Sequence, residues 1–286
     1  MILVAIATTT MTLQLKNSLD ATRLLFQTHQ LQLDSTITRF WAMDFLSHPK
    51  KNTFGHTPGQ NIYTQKKIDF PMLPDIHFSA ELIDLNARFN LNNLTSTTGK
   101  TAFYRLTKHL LEDEDNKKSY PITHALTNWV SHYEPGHEKN NTVFLAHLPI
   151  VSLSELVFIP DINPEDLEPL MPYLTALPVQ TRVNINTASE ELLMAMARGN
   201  NAVQYMEELI EARGKKGIKS LADIKPILKK LLIKEDDVTT ESEYFLSIGH
   251  ITKNKTTRVL YSLLQRVKNK DDSYTVYLIH ETWNTD

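Results

Sequence analysis

Arg182-Val-Asn-Ile-Asn-Thr-Ala-Ser-Glu-Glu-Leu-Leu193 decides how this chain is read, because Arg88-Phe-Asn-Leu-Asn-Asn-Leu94 echoes it. Each stretch places Arg, an apolar residue, Asn, an aliphatic residue and Asn directly ahead of a polar, helix-starting run. Asn, Ser and Thr side chains accept hydrogen bonds from the free N–H groups of a first helical turn, so both stretches read as connectors into N-caps. In the second, Thr187 or Ser189 can cap, and Glu190 stands three residues after Thr187 in capping-box spacing. The prediction is that Asn90, Asn92, Asn184 and Asn186 lie where the chain enters helices.

Periodicity organises the rest. No Gly or Pro interrupts Thr12 to Leu46, and apolar residues recur there at helical spacing, which predicts one long helix ended by His48-Pro49. At about 100° per residue its apolar side chains form two stripes. Leu15, Leu19, Phe26, Leu33, Ile37 and Phe40 share one face; Leu13, Leu24 and Leu31 share nearly the opposite one. The first stripe is expected to cover a sheet and the second to pack against partner helices. Lys50 to Pro74 carries Gly55, Pro58, Gly59 and Pro71 and reads as loop. Ile76–Leu85 alternates as a strand. Helical segments are predicted over 102–112, 123–132, 152–158, 164–174, 189–197, 202–213 and 221–232. Strands follow over 244–252, 257–267 and 274–282. This is an α+β arrangement: a long helix on a small antiparallel sheet, with an all-helical block inserted before the last strands. The expected divisions are 1–48 for the helix, 49–93 with 235–286 for the sheet domain, and 94–234 for the insertion.

The two echoes, with Ser152-Leu-Ser-Glu-Leu156 between them, resemble the minor pseudopilin K family of the bacterial type II secretion system. Glu81-Leu-Ile-Asp-Leu-Asn-Ala-Arg88, Pro172-Tyr-Leu-Thr-Ala-Leu-Pro178, Thr240-Glu-Ser-Glu-Tyr-Phe-Leu246 and Val259-Leu-Tyr-Ser-Leu-Leu264 extend the resemblance over most of the chain. The resemblance implies a pilin-like domain interrupted by a helical insertion. It implies a structural subunit at the tip of the type II secretion pseudopilus, assembling with the I and J minor pseudopilins to initiate and cap the fibre for protein secretion. It also implies insertion in the inner membrane of a Gram-negative bacterium and a globular part in the periplasm. The apolar run Met1–Ala7 is shorter than the roughly 20 residues a spanning helix needs. Aligned on Ala5-Ile-Ala-Thr-Thr9, the sequence starts inside the family's hydrophobic helix, so Met1 reads as a truncated start.

Composition fits without adding a function. The 286 residues can bury a sizeable core, the net charge of −3 advertises no polyanion partner, and the absence of cysteine excludes a disulfide framework. Gly99-Lys-Thr101 lacks the Gly that a phosphate loop needs at position 94. His132-Tyr-Glu-Pro-Gly-His-Glu138 gathers zinc-type ligands but has no His-Glu-x-x-His helix. The resemblance places calcium ligands in the same region, where Glu134, Glu138, Asn140 and Asn141 could serve. Asn128, Ser131 and Tyr133 stand around Trp129 where the family is rich in Asp, so most of the charge that attracts calcium is missing. No cofactor is required by this reading. The alternative function is a helix-hairpin-helix DNA-binding protein, over Val183 to Ile224. Its hairpin, Met196-Ala-Arg-Gly-Asn-Asn201, carries one Gly where close phosphate approach wants two, and Lys215, Lys216, Lys219, Lys225, Lys229 and Lys230 read as a solvated basic face. No nucleophile elbow or buried acid pair suggests an enzyme.

Overall fold

The computed structural model describes residues 2–48, 62–68, 76–130, 149–160, 162–199, 201–253 and 256–285. Helix α1 (Ile2–Ser47) is followed by strands β1 (Ile62–Ile68), β2 (Ile76–Asp84) and the two-residue β3 (Phe89–Asn90). Then come α2 (Thr97–Leu110), α3 (Ser119–Val130), α4 (Pro164–Leu167), and the short β4 (Leu174–Thr175) and β5 (Val183–Asn184). Helices α5 (Glu190–Met196), α6 (Ala202–Arg213) and α7 (Leu221–Leu231) precede β6 (Val238–Thr239) and the long strands β7 (Tyr244–Lys253), β8 (Thr256–Lys268) and β9 (Tyr274–Thr285). The α+β class stands: strands β1, β2, β7, β8 and β9 form one antiparallel sheet in that order, and the helical block interrupts it between β2 and β7.

The 46 residues of α1 extend roughly 69 Å at 1.5 Å per residue, far beyond the width of the sheet. Its C-terminal end carries the contact: Ala42 and Leu46 pack on Leu82, Phe245 and Leu264, while Ile37 and Trp41 cover Phe78, Ala80 and Ile251. The helix comes closest at Gly249 of β7, where a Cβ would meet Thr38 Oγ1 at 2.0 Å. Arg39 ties the other side, its Nη1 2.9 Å from both carboxylate oxygens of Glu281 on β9. The expectation that Leu15, Leu19 and Phe40 face the sheet is corrected. Phe40 is 60% exposed, because the sheet-facing line runs through Thr38, Ala42 and Leu46. At about 100° per residue that line continues the face of Leu13, Leu24 and Leu31, so the face expected to meet only partner helices is the one that meets the sheet at the end of α1. Leu15 and Leu19 lie where α1 has left the sheet behind, and they are exposed together with Met11 and Leu13. The side chains of Phe26 and Leu33, and of Leu24 and Leu31, lie outside the described residues.

Three further expectations change. The segment read as loop from Lys50 to Pro74 contains β1, whose sequence Ile-Tyr-Thr-Gln-Lys-Lys-Ile is polar because it is an edge strand. The helix expected over 164–174 stops at Leu167, since Pro169 and Pro172 cannot continue it, and only a 3-10 turn follows at Met171–Tyr173. Leu153–Phe158 is a 3-10 helix, and it carries a capping box between Ser152 and Glu155.

The insertion has one continuous core in which Leu91, Phe103 and Leu126 from its first half meet Ile185, Leu192 and Leu228 from its second. A smaller cluster of Ile83, Leu85, Leu177 and Tyr244 joins it to the sheet. That junction is where the buried polar groups concentrate.

Candidate functional site

The chain leaves the sheet at Asp84 and returns at Tyr244, and both crossings are held by side chains from the Asn-rich stretches. Asp84-Leu-Asn86, Asn90-Leu-Asn92 and Asn184-Ile-Asn186 are three copies of one device. In each, the first residue accepts from the backbone N–H two positions on, at 2.8, 3.2 and 2.9 Å. This local bond turns the chain so that the second residue points inward.

The second residue of each unit then clamps remote backbone. Asn92 accepts from Ile150 N–H at 2.9 Å and donates to the carbonyls of Ile150 at 2.8 Å and Leu177 at 2.6 Å. Asn186 does the same 94 positions later: it accepts from Ile218 N–H at 2.7 Å and donates to Ile218 O at 2.9 Å and Thr240 O at 3.1 Å. Gly217, at φ +71°, makes the turn that presents Ile218 to this amide. Asn86 accepts from the N–H groups of Glu243 and Tyr244 at 3.0 and 2.9 Å and donates to Arg182 O at 3.0 Å, which closes the neck. The short parallel ladders fall in matching places, Phe89-Asn90 on Leu174-Thr175 and Val183-Asn184 on Val238-Thr239. The echo seen in the sequence is therefore a structural repetition.

Asp84 is the charged centre of the neck. It is fully buried, and its Oδ2 accepts from Ser242 Oγ at 2.5 Å, Thr187 Oγ1 at 2.6 Å and Asn184 Nδ2 at 3.4 Å. Burial pushes its pKa above the ordinary carboxylate value, against the opposing pull of these donors and of the Arg266 charge. Arg266 donates to Ser242 O at 2.9 Å and lies over the rings of Phe245 and Tyr274. Burial lowers the pKa of Arg88, with the charges of Asp84 and Glu81 opposing. Arg213 is buried as well, and its guanidinium holds the carbonyls of Ile185 at 3.2 Å and Ala188 at 2.9 Å, directly before α5.

The structure places Asn90, Asn92, Asn184 and Asn186 at entries to helical turns, but their larger role is tertiary. Asn90 also spans from Leu177 N–H to Val179 O, at 3.1 and 2.7 Å. Ser189 caps α5, so the Thr187–Glu190 capping box is corrected: Thr187 gives its hydroxyl to Asp84 instead. Asp84, Asn86, Ser242 and Arg213 hold this junction without having been expected to, as does Asn93, which accepts from Thr181 N–H at 3.0 Å and donates to Thr181 O at 2.8 Å. The Asx-aliphatic-Asn spacing of 84–86 was the available signal. Gly99 lies inside the first turn of α2, capped by Ser96, which removes the phosphate-loop reading. Glu134, Glu138, Asn140 and Asn141, with His132 and His137, lie outside the described residues, as does the calcium question. Among the described residues no cluster of His, Asp and Glu could hold a metal, and no helix is long and apolar enough to cross a membrane.

Geometry also disfavours the DNA-binding alternative. Two of the hairpin N–H groups are spent internally, since Arg198 and Gly199 both donate to Leu231 O, at 2.8 and 3.2 Å. Two of the lysines are committed too, Lys225 to Glu235 at 2.9 Å and Lys230 to Glu208 at 3.2 Å.

Both halves of this clamp system coincide with known family patterns. Residues 87–179 and 183–242 match two family models, each described as protein K of the type II secretion system, and together they span more than half of the chain. The chain belongs to the type II secretion system protein K family. It is 28% identical over 204 residues to type II secretion system protein K of Pseudomonas aeruginosa, an alignment covering 65% of this chain and 60% of that protein. The chain thus spans less than two thirds of the curated relative's length. The fold is similar to a chain in the crystal structure of the GspK-GspI-GspJ complex from the enterotoxigenic Escherichia coli type 2 secretion system. The TM-score is 0.68 at 18% identity, covering 93% of this chain and 99% of that one. Asn90 and Asn92 lie in the first family segment and Asn184 and Asn186 in the second.

Proposed function

We propose that this protein is a structural minor pseudopilin, without enzymatic activity, at the tip of the type II secretion pseudopilus. Its partners in this reading are the I and J minor pseudopilins, with which it initiates and caps the fibre. The reading rests on one observation above the family membership: α1 outruns its own sheet and exposes Met11, Leu13, Leu15 and Leu19 to water. Burying a leucine is worth roughly 1.5–3 kcal/mol, so partner helices alongside would gain several such contributions. Leu13, Leu24 and Leu31 form the proposed partner-helix stripe, and the helical insertion, held rigidly by the clamps, blocks further subunits from adding above it. Anchoring in the inner membrane, with the sheet and insertion in the periplasm, follows from the same reading. Calcium is not required for it.

Co-expression with the I and J subunits of its own organism tests the proposal. A stable ternary complex is expected. Changing Leu13, Leu24 and Leu31 together to Glu should abolish co-purification while the isolated chain unfolds at its normal temperature. Absence of a complex with the unaltered chain, or normal assembly of the triple variant, overturns it.

A further inference from the structure

Between the two repeated halves of the insertion lies a cavity of about 230 Å³. Its floor is apolar and buried, formed by Phe89, Ala102, Val183 and Ile233, with Met196 at the side. Its rim is charged: Arg182 and Arg198 stand with Asp236 and Asp237. Among the described residues none of these four enters an ion pair, although the adjacent Glu235 is paired with Lys225. Among the described residues the Asp237 carboxylate accepts from Thr98 Oγ1 alone, at 3.4 Å, and the Arg198 guanidinium reaches Leu232 O alone, at 3.5 Å. Leu232 itself ends α7 at φ +55°, a conformation that favours glycine, and its side chain is 54% exposed beside the opening.

Size restricts the occupant. Small-molecule and cofactor sites run to about 300–1,000 Å³, so this cavity is too small for a nucleotide and suits a single large side chain. The rim charges, of both signs and unpaired, complement a chain with an acidic group on one side of that residue and a basic group on the other. We propose that this cavity binds a short extended segment of another polypeptide, seating one apolar side chain on the floor between an acidic and a basic neighbour. The proposal does not depend on assembly with I and J, because the cavity belongs wholly to the insertion.

Methyl NMR on the full chain tests it, with the capped pentapeptides Gly-Asp-Leu-Lys-Gly and Gly-Lys-Leu-Asp-Gly as probes and Gly-Asp-Ser-Lys-Gly and Gly-Lys-Ser-Asp-Gly as controls. One leucine peptide should shift the Met196 methyl signal saturably, with a Kd on the order of 1 mM, and its serine control should bind about tenfold more weakly. Arg182→Glu and Asp236→Lys change exposed side chains that make no described ion pair, so the fold should survive. Each should weaken the better peptide roughly fivefold. The inference is overturned if neither leucine peptide gives a saturable shift, if serine serves as well as leucine, or if both charge reversals leave binding unchanged.

Discussion

Truncating Asn92 to Ala should destabilise the insertion far more than a typical surface change. The side chain is 6% exposed and makes three bonds, all to backbone: one from Ile150 N–H, and two to the carbonyls of Ile150 and Leu177. Ile150 is fully buried, so water cannot readily replace the amide. A net loss of about 1 kcal/mol per hydrogen bond, with an added penalty for the stranded groups, gives about 3–4 kcal/mol. Urea unfolding followed through tryptophan fluorescence would read this, since Trp129 packs against the insertion core and Trp41 against the sheet. The midpoint for Trp129 should fall the most, and hydrogen exchange should quicken around 91–95 and 149–151. Asn186→Ala breaks the equivalent three bonds at Ile218 and Thr240, so its cost should lie within about 1 kcal/mol of that of Asn92→Ala. If either variant unfolds within about 0.5 kcal/mol of the unaltered chain, the clamp argument fails. If the two differ by several kcal/mol, the repetition is geometric without being energetic.

Gly249→Ala should lift α1 from the sheet, because the new Cβ would meet β-branched Thr38, which cannot swing aside freely. A cost of about 1–3 kcal/mol is expected, with faster hydrogen exchange in 36–47 and none in the insertion. Two aspartates should give opposite pH signatures in urea titrations. The folded pKa of Asp84 is raised, so its ionised form is disfavoured by folding. Stability relative to Asp84→Asn should therefore rise as pH falls through that raised pKa towards 3.8. Asp113, partly exposed, is held at about 2, chiefly by the Ser119 N–H, so stability relative to Asp113→Asn should be full above pH 3.8 and lost as pH falls towards 2. A chelator should leave the melting temperature of the purified chain unchanged; a fall restored by calcium alone would show that Glu134, Glu138, Asn140 and Asn141 hold an ion after all.

The elements readable in the sequence were those whose pattern is local. The long helix, α6, α7 and the three last strands follow from spacing of 3.6 or 2 residues, and their observed bounds lie close to those expected. β1 was unreadable because an edge strand of mixed polar residues lacks the alternation that a half-buried strand shows. The clamps were half readable. Their spacing was visible, but that Asn92 reaches Ile150, 58 residues away, depends on packing that no local window contains. The competition between Thr187 and Ser189 for the cap was likewise settled by a distant group, Asp84, which claims the threonine hydroxyl.

The chemistry of the three Asx-aliphatic-Asn units explains why one begins with an acid and all end with an amide. Asn86, Asn92 and Asn186 each face both an N–H and a carbonyl, and only a side chain that donates and accepts can satisfy both; Asp, which only accepts when ionised, would set its charge against the carbonyls. The first positions differ. Asn90 and Asn184 still need to donate, to Val179 O and to Ser242 Oγ respectively. Every partner of Asp84 is a donor: the N–H of Asn86, the amide of Asn184 and the hydroxyls of Thr187 and Ser242. One carboxylate oxygen accepts from the Asn184 amide and both hydroxyls at once, whereas an amide N–H in its place would oppose the Asn184 amide and force both hydroxyls to turn round and accept. Asp84→Asn should therefore cost stability at neutral pH despite removing a buried charge, because its N–H would oppose the Asn184 amide and leave the Ser242 and Thr187 hydroxyls without the acceptor they now share. Ser242→Ala in that background should cost less than in the unaltered chain, because the hydroxyl would already have lost its best acceptor. Equal costs in both backgrounds, measured as a double-mutant cycle in urea, would refute this account of the neck.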